Sequence, residues 1–257
     1  MGIHLGKILN MKLLFTLLLG VMFIQLSAQS EGVIVYEEKI DIHKRLPPER
    51  QEYKDMIPQF RTQKYELHYN EVASMYVSSK DQERPEARSG GGHGHGGGMM
   101  RMNRPDRDVY KNLEENKLVD SREFMSKKFL IKGTVDEISW KIADGQKQLL
   151  GYMCLKAVYQ DTADTYVAWF TPQITIGNGP AEYSGLPGMI LQIVVNDEDR
   201  TITAVSVTEQ SVEKDMLKEP KKGKEVTSEE YKAIVHEKMK EMGQSGSNGT
   251  FIHVTRN

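Results

Sequence analysis

Met189-Ile190-Leu191-Gln192-Ile193-Val194-Val195, then the pair Asn196-Asp197, then Ile202-Thr203-Ala204-Val205-Ser206-Val207-Thr208 is the stretch on which the fold turns. The first run is apolar at all but one position, the pattern of a strand buried on both faces. The second is rich in β-branched residues, and the Asn-Asp pair between them is turn chemistry, so the two read as successive strands. Working upstream, 165–170, 148–159, 138–142 and 128–131 read as strands too, with Asp144-Gly145 as a further turn signal. No helical periodicity separates them. Strands in direct succession predict an antiparallel sheet rather than alternating βαβ units.

Further upstream, Val33-Ile34-Val35-Tyr36 opens another strand, and Tyr65, Leu67 and Tyr69 alternate with polar residues before Asn70-Glu71. Ala73, Met75 and Val77 then alternate in turn, which predicts a β-hairpin. Between these, 49–56 is predicted as a short helix begun by Pro48 and stopped by Pro58. Near the C-terminus Thr227-Ser228-Glu229-Glu230 is a capping box, and Tyr231, Ile234, Val235, Met239 and Met242 recur at helical spacing, predicting one amphipathic helix over 227–242. A Gly/Ser stretch, 243–249, leads to Phe251-Ile252-His253-Val254, read as a last edge strand.

The composition narrows the function. The chain has 257 residues, with 34 Lys+Arg against 36 Asp+Glu and a formal net charge of −2, so neither charge nor a basic run interleaved with aromatics points to nucleic acid. A single cysteine, Cys154, excludes an intramolecular disulfide and a multi-cysteine metal site, and it reads as a small buried hydrophobe. Lys7 and Lys12 precede a short apolar run, 13–24, and Gln25-Leu26-Ser27-Ala28 follows; this predicts a secretory signal peptide over 1–28 cleaved after Ala28. The run is too short for comfortable membrane spanning, which takes about 20 apolar residues. The expected mature chain, 29–257, is a single exported domain without a transmembrane segment, periplasmic or else outer-membrane-associated or extracellular.

Gly185-Leu186-Pro187-Gly188-Met189-Ile190 resembles the hexapeptide that names the GLPGLI family of exported Bacteroidota proteins. Ala168-Trp169-Phe170-Thr171, Gly179-Pro180, Trp140 and Gly151-Tyr152-Met153-Cys154-Leu155-Lys156-Ala157 extend the resemblance, as does the hairpin at 67–76. That family has no established activity. The sequence is also similar, more distantly, to the N-terminal bowl-shaped β-domain of some peptide-N-glycosidases, a domain separate from their catalytic one. Together these resemblances imply a mainly β fold, a curved antiparallel sheet forming a bowl or partial barrel, and transfer no catalytic residue. Physically the hexapeptide reads as a type II turn, with Pro187 fixing φ, Gly188 accepting a positive φ, and Leu186, Met189 and Ile190 anchoring it in the core.

The site-like chemistry lies in 84–107, a flexible Gly-rich loop with His93, His95, Met99, Met100 and Met102 at its centre. Imidazoles and thioethers together favour copper over hard cations, with nickel a second candidate, although Arg101 and Arg104 oppose a cation. Asp161-Thr162-Ala163 resembles an O-glycosylation acceptor placed between two strands. No acid/base couple, nucleophile elbow or phosphate loop is legible. Two functions are therefore expected: a non-catalytic envelope protein that binds a protein, lipid or glycan partner, or metal binding through the His/Met loop.

Overall fold

The structure is a computed structural model that describes residues 31–46, 48–79, 107–135 and 138–245. The expected signal peptide, the metal-ligand candidates His93 to Met102 and the edge strand at 251–254 lie outside the described residues.

Among the described residues twelve strands form one sheet. In chain order they are β1 (Gly32–Asp41), β2 (Phe60–Tyr69), β3 (Ala73–Ser78), β4 (Arg107–Asn112), β5 (Lys117–Phe124), β6 (Lys127–Gly133), β7 (Lys141–Leu149), β8 (Tyr152–Gln160), β9 (Thr165–Thr171), β10 (Met189–Val195), β11 (Arg200–Glu209) and β12 (Lys224–Val226). Across the sheet the order is β12-β6-β5-β4-β3-β2-β1-β11-β10-β9-β8-β7. Every pairing is antiparallel except β12 with β6. Two meanders thus meet where the first strand pairs with the eleventh, Tyr36 opposite Ala204 and Ile40 opposite Arg200.

Alternation along the strands sets two faces. Ile34 and Tyr36 of β1, Tyr65, Leu67 and Tyr69 of β2, Tyr76 of β3 and Val109 of β4 share the inner face with Ala168 and Phe170 of β9 and Ile193 of β10. The sheet curls around residues 172–188, the connection between β9 and β10, whose Ile174, Ile176, Ala181, Tyr183 and Leu186 join this same core. We call that connection the plug. The hollow of the curve is consequently filled by the chain itself.

From β11 the chain crosses the outer face as a strap, 210–223, on which Leu217 covers Met75, Tyr110, Val119 and Leu130. It then pairs as β12 and turns into the helix α1 (Ser228–Ser245), whose Tyr231 and Val235 pack on Phe129, Ile131 and Val226. The capping box is reciprocal: the Thr227 N–H donates to Glu230 Oε2 at 2.8 Å, and the Glu230 N–H to Thr227 Oγ1 at 3.1 Å. Among the described residues no helix is long and apolar enough to cross a membrane.

The mainly β antiparallel architecture and the C-terminal helix are as expected from sequence. Several details differ. The short N-terminal helix, Pro48–Met56, takes the 3-10 form. The strand expected at 138–142 begins instead at Lys141 and runs on through Asp144-Gly145, which sits in a β-bulge rather than a turn; the actual turn is at Leu150-Gly151, dividing the expected strand 148–159. Strands β4, β5 and β12 have no counterpart in the sequence reading. Arg107 opens β4 instead of closing the loop.

Candidate functional site

The strand β4 places Arg107, Val109 and Lys111 on the inner face, opposite Arg122, Asp120 and Leu118 of β5. Lys111 is fully buried, and its Nζ donates to two plug carbonyls, Gly179 O at 2.7 Å and Tyr183 O at 3.1 Å. Burial pushes its ammonium pKa down to about 7, opposed by the Glu182 carboxylate and reinforced by Arg107. Beside it, Arg107 donates to Asp120 Oδ2 at 2.8 Å and to Glu182 Oε2 of the plug at 2.7 Å, and Arg122 donates to the same Asp120 oxygen at 2.6 Å. A second pair, Arg200 to Glu38 at 2.6 Å, lies on the inner face of β11 and β1. Tyr36 Oη donates to Ile190 O at 2.6 Å, Trp140 Nε1 to Ser184 O at 2.8 Å, and Ser184 Oγ to Val135 O at 2.6 Å. Lys111 of β4 and Trp140, just before β7, therefore hold the plug by its main-chain carbonyls, and Tyr36 of β1 ties β10 at the plug's exit.

For Asp120 and Glu182, burial alone would raise the carboxyl pKa, but the guanidinium groups around them hold both below the usual carboxylate range. Depressed folded-state values mean that their contribution to stability is complete above the unfolded carboxylate pKa of about 4 and is lost as pH falls below it. Asp120→Asn leaves two largely buried guanidiniums sharing one fewer charge; we expect destabilisation of about 2 kcal/mol at pH 7 that shrinks toward pH 3. Thermal unfolding at the two pH values checks it, and equal destabilisation at both would refute the ionic account.

The hexapeptide ends this plug. Leu186, Met189 and Ile190 are buried and Pro187 is exposed. Gly188 has the expected positive φ, +144°, but the turn is tighter than type II: the Gly188 N–H donates to Leu186 O at 2.8 Å, while the Met189 N–H leaves the turn for Ile174 O at 3.1 Å. Close packing explains the difference, since a Cβ on Gly188 would lie 2.2 Å from Thr171 O, and the chain must enter β10 hard against the end of β9. Cys154 is buried in the core, as expected, and burial raises its thiol pKa. Thr162 is exposed in the turn between β8 and β9. His43 and His68 are engaged locally, with Ile57 O and Glu66.

On the outer face a groove of about 730 Å³ opens between the strap and strands β4 to β6, lined by Asp108, Ser121, Lys128, Lys218, Lys221 and Lys222 together with Glu219 and Pro220. Among the described residues no cluster of His, Cys, Asp or Glu is arranged to hold a metal ion. Sequence reasoning missed Arg107, Lys111, Asp120 and Glu182. The alternation Arg107-Val109-Lys111 was available as a signal, but it does not say that the face it marks is the one a distant loop will cover.

The fold and these contacts define a class: a curved antiparallel β-sheet plugged by its own β9–β10 connection. A family model described as "Protein of unknown function (Porph_ging)" matches residues 160–192, from the end of β8 through the plug and hexapeptide into β10. No curated protein matches the sequence. Among solved structures, PNGF-II in its C2 and P21 crystal forms is similar, each at 14% identity with a TM-score of 0.54, covering 80% of this chain and 33% of PNGF-II. The likeness shows a shared fold, and the chain spans about a third of PNGF-II.

Proposed function

We propose that the chain is an exported, non-catalytic envelope module that binds a protein partner on its outer surface. The carrying observation is that residues 172–188 fill the hollow of the sheet, with Lys111 and Trp140 bound to plug carbonyls. A bowl serving as a lipid or glycan carrier needs that hollow as a lined cavity. The charged groups of the inner face are engaged with one another and with main chain rather than aimed at a shared open point, which favours binding over catalysis. The size of the shared fold relative to PNGF-II fits a module. Export rests on the apolar run at 13–24 and the small residues before Ala28.

Native mass spectrometry of protein isolated from its own envelope tests the reading. The expected result is a mature N-terminus near Gln29, no stoichiometric lipid or glycan, and a crosslinked protein adduct of one defined mass that unlabelled protein competes away. An uncleaved cytosolic chain, a tightly held lipid or glycan, or substrate turnover overturns it.

A second reading, copper or nickel binding by His93, His95, Met99, Met100 and Met102, is favoured by the His/Met content of that segment. Calorimetry with Cu(II), Cu(I) and Ni(II) should then show micromolar or tighter binding that weakens about tenfold or more in His93→Ala/His95→Ala. Binding unchanged in that variant removes the reading.

A further inference from the structure

The strap carries a concentration of positive charge that its surroundings leave uncompensated. Lys221 and Lys222 of the strap and Lys128 of β6 are exposed, and among the described residues none of the three makes an ion pair. Glu219, which could have neutralised them, is held by Lys117 at 2.6 Å, and Lys218 pairs with Asp215 at 2.8 Å. Glu123 stands opposite Lys128 in the ladder without closing to ion-pair distance, and Asp108 is the remaining acid of the groove.

These lysines stand on a fixed frame. Leu217 is packed in the outer apolar cluster, Pro220 fixes its own φ in the extended segment that follows, and Lys224 to Val226 pair with Phe129 to Ile131. Between these anchors Gly223, at φ +151°, brings the strap against the β6 main chain, where a Cβ would meet Lys128 C and O at 3.1 Å. Lys128 therefore faces Lys221 and Lys222 across one groove whose floor includes the buried Ser121. Like charges held this way repel, and an oxyanion between them turns that repulsion into attraction while accepting charge-assisted hydrogen bonds. The groove's volume suits one small ligand or headgroup rather than a folded partner.

We propose that this groove is a binding site for a ligand carrying at least two neighbouring phosphate or sulfate groups, held by Lys128, Lys221 and Lys222 with the Ser121 hydroxyl as an additional donor. The site stands apart from partner binding, and either reading can fail without the other.

Calorimetry with pyrophosphate is the test, at about 0.05 and about 0.3 M salt, which changes screening severalfold. We expect binding at low salt that weakens at high salt and falls about tenfold or more in Lys221→Ala/Lys222→Ala, with no change in Lys238→Ala/Lys240→Ala on α1. These positions are exposed, so the variants should keep the wild-type unfolding temperature; Lys128→Gln gives an independent reading from β6. Sedimentation with phosphatidylcholine vesicles, with and without a phosphatidylinositol bisphosphate whose two ring phosphates are neighbours, separates the sources: pyrophosphate binding without vesicle binding identifies a soluble ligand, and binding to the bisphosphate vesicles identifies a headgroup. Neither kind of binding, or binding equal in wild type and in both folded groove variants, overturns the proposal.

Discussion

Lys111→Ala should lower the stability of the protein by about 3–5 kcal/mol, a fall of roughly 10 °C in Tm for a domain of this size. The side chain is fully buried, so truncation opens a cavity, and it strips Gly179 O and Tyr183 O of their shared donor. Two buried carbonyls without a partner each carry a desolvation penalty of about 1–3 kcal/mol. A pH signature separates the lysine's charge from its bulk. With a folded pKa near 7 and an unfolded value near 10.4, the unfolded chain binds the extra proton between those limits, so stability rises with pH across that window. Lys111→Met fills much of the space without titrating, and should abolish that part of the slope. Its deficit relative to wild type should then be larger at pH 10 than at pH 7. Denaturant unfolding from pH 6 to 10 measures this; a slope in the Met variant identical to wild type, or a Lys111→Ala Tm within about 2 °C of wild type, would show that the lysine does not anchor the plug.

Gly188→Val should prevent folding to a soluble protein, a loss of more than about 4 kcal/mol. Its φ of +144° is hostile to a β-branched residue, and the new Cβ would fall 2.2 Å from Thr171 O, 2.7 Å from Thr171 C and 2.9 Å from Pro172 Cα. All three are main-chain atoms at the end of β9, so no rotamer change relieves the clash. Gly151→Ala is the control: φ is also positive, +86°, but nothing lies within 4 Å of the added carbon, and about 1 kcal/mol of backbone strain is expected. Soluble yield and circular dichroism report both. If Gly188→Val folds with a Tm near that of Gly151→Ala, the hexapeptide is not the structural joint between plug and β10. It would then have to be valued for what its exposed Pro187 side touches.

The strands with the clearest period or apolar content, β2, β3, β9, β10 and β11, were legible because a buried face writes itself into alternation. The strand β5, Lys117–Phe124, was not, because Leu118 and Val119 are its only aliphatic residues among charged and polar neighbours. Its inner face carries Asp120 and Arg122, and Asp120 accepts from both Arg107 and Arg122, so polarity there marks an ion-pair network and not solvent. The turn signal Asp144-Gly145 misled for a related reason: the same residues serve a bulge when a partner strand continues past them. Of the candidate sites, the hexapeptide was visible as a turn with buried anchors, and its tightness came from the neighbouring end of β9.

The strap illustrates the division most directly. In the sequence, Lys218 to Lys224 reads as a solvated connection before a helix. Only its crossing of the outer face, fixed by Leu217 and the parallel pairing of β12, sets those lysines across from Lys128. The sequence by itself determined the class of fold, the capped helix and the burial of Cys154, because each depends on local period, capping or residue polarity. Tertiary structure decided what fills the bowl, which lysine is buried and which lysines gather, because those depend on pairings between residues as far apart as Lys111 and Gly179, and no local pattern encodes a contact at that separation.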